Sequence, residues 1–351
     1  MAIFSGVRPH TTMVIVPTGV GAAIGGYAGD ALPVARAIAA VSDRLITHPN
    51  VLNGAQLYWP LPNAYYVEGY GLDQFAAGYW HLQPVHQNTI GVVLDQAIED
   101  DLRWRHLQAA DAARATLGLN IQNYVATDAP LGIHLAQAQS ATWGTLDQPD
   151  SLLRAVDKLI RAGCNAIAVI ARFPDDEDSE ALHAYRQGTG VDPLAGAEAV
   201  ISHLVVREFQ VPCAHAPALQ PLPLDPTISP RSAAEEIGYT FLPCVLAGLS
   251  RAPQFRTEAT AESISAADVD ALVVPASTLG GSAVLSLSGT STQIIAVEDN
   301  VSAVAVDAQA LGLNVVQVRS YLEAVGAIAA QRAGIAMTAL GASITPLQPL
   351  R

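Results

Sequence analysis

Lysine is almost missing from this chain. Lys158 is the single lysine among 18 basic residues in 351. The lysine of a phosphate-binding loop is therefore absent, and Schiff-base chemistry has one candidate, mid-pattern in an amphipathic helix. Cysteine is scarce too. Cys164, Cys213 and Cys244 are odd in number and form no C-x-x-C, which excludes a disulfide framework and a zinc ribbon. Aromatics make up 6% and charged residues 14%, the latter well under the usual quarter. Basic charge is outweighed by 32 acidic residues, for a net −14. A nucleic-acid partner is excluded for want of a basic footprint. No apolar run approaches the roughly 20 residues of a membrane-spanning helix, and the N-terminus lacks a signal-peptide layout. These absences set the expectation of a cytoplasmic protein without membrane partners.

What is present is aliphatic. Half the residues are hydrophobic, so Ala, Val, Leu and Ile build the core, and the thin coat of charge implies self-association into a homo-oligomer. Short β-branched runs recur at Met13–Val16, Arg44–Thr47, Thr89–Leu94, Asn123–Ala126, Ala166–Ala171, Val211–Ala214, Ala271–Val274, Ile294–Val297 and Asn314–Val318. Several are continuously apolar, as parallel strands buried on both faces are. Helical patterns lie between them at Ala31–Val41, Ile98–Leu117, Ser151–Ala162, Leu194–Glu208, Ser302–Leu311 and Tyr321–Ala333. The alternation predicts an α/β fold with doubly wound, mostly parallel, Rossmann-like sheets. Two lobes with a cleft between them are expected, residues 1–215 and 216–351, divided at the proline-rich stretch 216–230. Residues 50–88, dense in Asn, Tyr, Pro, Gly and Trp, are expected to form a long aromatic insertion serving function or an interface.

Six motifs could carry chemistry. Thr18 to Asp30 (TGVGAAIGGYAGD) follows the first strand. Its Gly19, Gly21, Gly25 and Gly26 let the backbone approach a ligand, and N–H groups at such a turn suit phosphate or carboxylate. The spacing departs from the dinucleotide fingerprint, and the acidic residue expected about 20 positions on is missing. A tight structural turn is the alternative, and no cofactor is assigned. His48, Asn50 and Asn53 close the second strand, where open α/β sheets bind ligands; an ordinary turn would explain them as well. Pro212 to Pro217 (PCAHAP) puts His215 among small residues at another strand end. Ser229 to Pro243 holds Arg231 with Glu235 and Glu236, an anion and acid–base set or a capped helix start. Ser277, Gly280, Gly281 and Ser282 form a second glycine turn, in a segment (LVVPASTLGG) that resembles the first. Glu298 ends the strand Ile294–Val297. No histidine spacing suggests a metal.

Taken together, IVPTGVGAAIGGYAGDA, ITHPNVLNGA, PCAHAPAL, PRSAAEEIGYTFLPCVLAGLSRAPQF, VVPASTLGG and IIAVEDN resemble an uncharacterised conserved family of cyanobacteria and related photosynthetic lineages. The resemblance covers roughly residues 13–335. It implies the cytosol of a photosynthetic microbe and carries over no catalytic residue, because the family has no established activity. The residues themselves point to an enzyme binding a small anionic, phosphorylated or carboxylated, metabolite. His48 and His215 would be acid and base, with Glu235 or Glu298 as alternatives. Thr18, the glycines of both turns, Asp30, Asn50, Asn53, Arg231, Ser277 and Ser282 would line the site. The chemistry would be of lyase, isomerase or group-transfer type. The rival expectation is a non-catalytic sensing or assembly protein that uses 50–88 as its interface.

Overall fold

Continuous apolar runs need cover on both faces, and the chain provides it with two parallel sheets flanked by helices. The computed structural model describes residues 8–53, 55–138, 141–175, 179–236 and 242–349. The strands, in chain order, are β1 Thr11–Val14, β2 Arg44–Thr47, β3 Ala64–Tyr66, β4 His81–Gln83, β5 Ile90–Leu94, β6 Ile121–Ala126 and β7 Ile133–Ala138. They continue with β8 Ala141–Leu146, β9 Ala166–Arg172, β10 Cys213–Ala218, β11 Gln254–Arg256, β12 Val269–Pro275, β13 Gln293–Val297 and β14 Val316–Val318. Six form one parallel sheet in the order β14-β13-β12-β1-β2-β3, and four form a second in the order β10-β9-β5-β6. This is the Rossmann-like, doubly wound α/β architecture that the strand and helix alternation implies.

Side chains alternate across each strand, and the two cores follow that alternation. Val14, Leu45, Val273, Val92 and Ala168 enter one apolar core; Met13, Ile46, Leu272, Val93 and Val169 enter the other. Each core thus draws on both sheets. Helix 149–161 shows how one amphipathic face is used: Leu152, Ala155, Val156 and Leu159 are buried, while Lys158 points to solvent. Helix 242–249 is apolar on every side and buried almost throughout, touching helix 100–117, β9 and β10.

The expected division at 215/216 does not follow the sheets. β1 pairs with β12 as well as β2, so residues near both ends build one sheet, and the stretch 90–218 supplies the other. The segment 50–88 is not one long loop either. Within it lie helices 49–52, 55–58 and 69–76, the edge strand β3, and β4, which pairs antiparallel with β11. The helix expected over Ser302–Leu311 shrinks to Ala308–Leu311, capped by Asp307. Its β-branched beginning runs extended between the two glycine turns. Ala23 donates its N–H to the Val301 carbonyl and Ala303 to that of Val20, while Val306 and Leu279 bond to Ser277 and Val306. The turns therefore do not face each other across a cleft, because residues 301–306 fill the space between them.

Candidate functional site

The first glycine turn spends several of its donors on the protein itself. Gly25, at φ +86°, donates its N–H to Asp30 Oδ1 at 2.6 Å, and Ala28 donates to Glu235 Oε2 at 3.0 Å. Ile24 donates to Asn300 Oδ1 at 2.8 Å, and Gly29 to the Asn50 carbonyl. Asn50 returns a bond from Nδ2 to the Gly25 carbonyl at 2.7 Å. Arg231 reaches across to Asp30 Oδ2 at 2.7 Å. Burial still leaves the Asp30 carboxyl above its ordinary range, against the pull of Arg231. The carboxylates this turn holds are thus Asp30 and Glu235 of the same chain. Gly19 accepts a backbone bond from Thr142, Thr18 is exposed, and Gly21 and Gly26 pack against Gly190 and Ala22.

The second turn behaves alike. Ser282 donates to Asp73 Oδ2 at 2.9 Å, and the Ala283 N–H bonds the same carboxyl group. Ser277 bonds Ser302 at 2.8 Å. Gly281 leads into helix 282–288, and Gly280 lies against Val306.

His48 is not at an open strand end. It is buried, and its Nε2 accepts the Val16 N–H at 3.1 Å. Burial pulls its pKa down to about 4. The ring is neutral at physiological pH and closes the backbone after β1, which is a structural role. Asn53 Oδ1 is buried without a hydrogen-bond partner in the structure, and Glu298 is exposed at the end of β13. His48 and Glu298 thus stand apart from the residues described next.

His215 and Glu235 are linked through Asp192 and Glu198, two residues that the motifs did not single out, and Glu235 also meets Tyr185. Glu235 Oε2 accepts the Tyr185 hydroxyl at 2.5 Å. The Tyr185 ring stacks on Tyr27 with centroids 4.4 Å apart, and Tyr27 donates to the Tyr185 carbonyl. Asp192 is 7% exposed and accepts the Leu194 N–H at 2.8 Å where the chain enters helix 195–209. Glu198, in the first turn of that helix, sits 3.5 Å from His215 Nε2, and His215 Nδ1 is 3.2 Å from Ser202 Oγ. That Glu198 distance is an ion contact rather than a hydrogen bond.

Burial dominates the titration of this group. It pushes Asp192 up to about 7, with the neighbouring Glu198 charge adding and the Leu194 and Ala195 N–H groups opposing. Glu235 is held well above the carboxylate range by burial and then by Asp192. The Tyr27 hydroxyl is pushed up to about 12, mainly by burial and then by Glu235.

Asp192, Glu198, Glu235 and Tyr185 share the wall of a cavity of about 560 Å³, within the ~300–1,000 Å³ common for small-molecule sites. The rest of the wall is mostly aliphatic: Leu182, Leu194, Leu219, Leu222, Ile228 and Leu242, with several prolines. The proline-rich stretch, expected as a connector, supplies much of this wall from Pro217 to Ile228. Arg105 and Arg186 also line it. Arg186 is held by Glu236 at 2.9 Å and by the Pro223 carbonyl at 2.7 Å. No metal-binding group of His, Cys, Asp or Glu occurs among the described residues. All three cysteines are buried, and none forms a disulfide among the described residues.

Fold and cavity define a doubly wound α/β protein with a buried carboxyl cluster at an apolar cavity. The chain belongs to the family described as "Protein of unknown function (DUF3326)", which matches residues 11–341. It is 65% identical over 336 residues to a protein of the cyanobacterium Synechococcus sp. named an uncharacterized lipoprotein, covering 95% of this chain and 94% of that one. No solved structure matches. The relative's name overturns the expectation of a cytoplasmic protein, which rested on the missing leader layout and apolar span. Among the described residues, no helix is long and apolar enough to cross a membrane.

Proposed function

We propose that this protein is an enzyme performing proton-transfer chemistry, of lyase or isomerase type, on a small molecule held in the apolar cavity. One observation carries the proposal: a buried carboxyl, Asp192, at the cavity wall, where burial and the Glu198 charge push its pKa up to about 7. A group poised near the working pH can both give and take a proton, which is what general acid–base catalysis needs. Asp192 is the acid or base in this account. Glu235, with its proton held by burial, and Tyr185 hydrogen-bond the substrate. Glu198 and His215 set the local charge. The glycine turns act as supports in this account, with Gly25, Ala28, Ser282 and Ala283 donating to Asp30, Glu235 and Asp73. An anion at the carboxyl end of the cavity would meet Glu198 and Asp192, so the charge there argues against the anionic metabolite expected from the glycine turns.

The test is incubation of the purified chain and Asp192→Asn with a pooled metabolite extract, read by mass spectrometry and thermal shift. The proposal expects at least one compound that stabilises both proteins and is converted only by the first. Ligands that bind both and stay unchanged would make this a binding protein.

A second reading keeps one supporting observation. Tyr58 and Trp59 are about half exposed side by side, with the Arg36 guanidinium 3.5 Å from the Trp59 ring centre, a composition suited to a contact surface. Trp59→Ser should then lower the oligomeric state in light scattering and leave turnover intact.

A further inference from the structure

The cavity is lined by two kinds of chemistry, buried carboxyls and an aliphatic wall, and the pairing bears on its ligand. We infer that the cavity takes an amphiphilic amine, with an apolar body along the leucine and proline wall and an ammonium group against Asp192 and Glu198. This rests on the reading that the cavity is the working site.

Asp192 is more than nine-tenths buried, lines the cavity, and has no side-chain partner among the described residues. Among the described residues, its carboxyl is hydrogen-bonded only by the N–H groups of Leu194 and Ala195. A carboxylate offers about four acceptor sites, so roughly two are left for a ligand. An ammonium brings three donors and the positive charge that a buried carboxylate lacks.

Arg186 is engaged by Glu236, and the imidazole beside this pair is His215, 3.5 Å from Glu198. His106 lines the wall, but burial favours its neutral form. Arg105 is exposed on the helix 100–117 side. No arginine is in ion-pair contact with Asp192 or Glu198 among the described residues. A ligand carboxylate or phosphate at this end would add a like charge to an already acidic pocket. A ligand ammonium would complete it, and the aliphatic wall would take up the chain attached to it.

The test uses three probes with one chain length, octylamine, octanol and octanoate, titrated calorimetrically into the full chain at pH 7.5. Octylamine should bind at least about 10-fold more tightly than octanol, with octanoate weakest. Asp192→Asn should remove that advantage, so that octylamine binds no more tightly than octanol. Glu198→Gln, in a partly exposed residue, should reduce it, and serves if Asp192→Asn does not fold. Octanol or octanoate binding as tightly as octylamine overturns the amine inference while leaving the cavity as a site. Failure of all three to bind, together with no stabilising compound in the metabolite pool, overturns both.

Discussion

His48 is where a catalytic and a structural role diverge most sharply, and stability measurements separate them. In the folded chain the ring is neutral down to about pH 4; in the unfolded chain it takes a proton near its ordinary 6.5. Between those values the unfolded state binds more protons, so folding loses stability as pH falls through the window. From pH 7 to 4.5 the two values give a loss of roughly 2 kcal/mol from this residue. His48→Ala leaves the Val16 N–H buried without its acceptor and opens a hole beside β1. Those two effects together cost about 3 kcal/mol or more at pH 7. Urea titrations of both proteins at pH 7 and 4.5, compared at equal m, give the answer. The gap should be large at pH 7 and narrower by roughly 2 kcal/mol at pH 4.5. A gap that stays constant, or a variant that keeps its stability and loses only turnover, would refute the structural assignment.

The remaining predictions concern the cavity and its supports. Asp192 has the opposite sign: its folded pKa of about 7 lies above the ordinary 3.8, so stability is lost as pH rises between them. Asp192→Asn should therefore gain on the wild type by roughly 2–3 kcal/mol between pH 5 and 8, measured by urea unfolding. Tyr185→Phe removes the hydroxyl that meets Glu235 and should cost about 1–2 kcal/mol with the fold intact by circular dichroism. Glu68 caps helix 69–76 through the Tyr70 and Gly71 N–H groups and sits 2.6 Å from His203 Nδ1, a close ion contact whose angle is poor for a hydrogen bond. Burial pulls the His203 pKa down, but Glu68, with the Ala199 backbone and the Asp73 charge, raises it overall, so that stabilisation is full below about pH 6.5 and is lost as pH rises through the raised value. Glu68→Gln should flatten that slope in the same assay. Gly196→Ala would place a Cβ 2.3 Å from Trp143 Cα and 2.4 Å from the Thr142 carbonyl oxygen. It should separate helix 195–209 from β8 and cost about 3 kcal/mol in thermal unfolding.

The architecture was legible because its signal is local. Each of the nine apolar runs became a strand, since a parallel strand covered on both faces has few alternatives to a continuous run such as Ile90–Leu94. The strands that escaped notice are short or half-exposed. β3, β4 and β11 have three residues each, and the β7–β8 hairpin carries exposed His134, Gln137 and Trp143. The domain boundary was not legible, because the pairing of β1 with β12 is a long-range choice that no composition change marks.

The site was half legible. His215 and Glu235 stood out as polar groups at a strand end and a helix start, and both lie near the Asp192–Glu198 pair. Asp192 did not stand out, because an Asp before Pro193 at the entrance to a helix reads as an ordinary cap. Only burial beside Glu198 gives it an unusual proton affinity. The glycine turns drew attention for a real property, exposed donors at a strand end. Which carboxylate would occupy them depended on contacts about 200 residues apart in the sequence, Glu235 on Ala28 and Ser282 on Asp73.

The account stands most directly on the proton held by Asp192. Carbonyl-labelled aspartate, followed by carbon NMR from pH 4 to 9 and assigned against Asp192→Asn, reads that proton alone. A resonance that titrates near pH 7 and vanishes in the variant is the result expected. An Asp192 carboxyl that titrates near 4, like an exposed aspartate, would contradict the acid–base site.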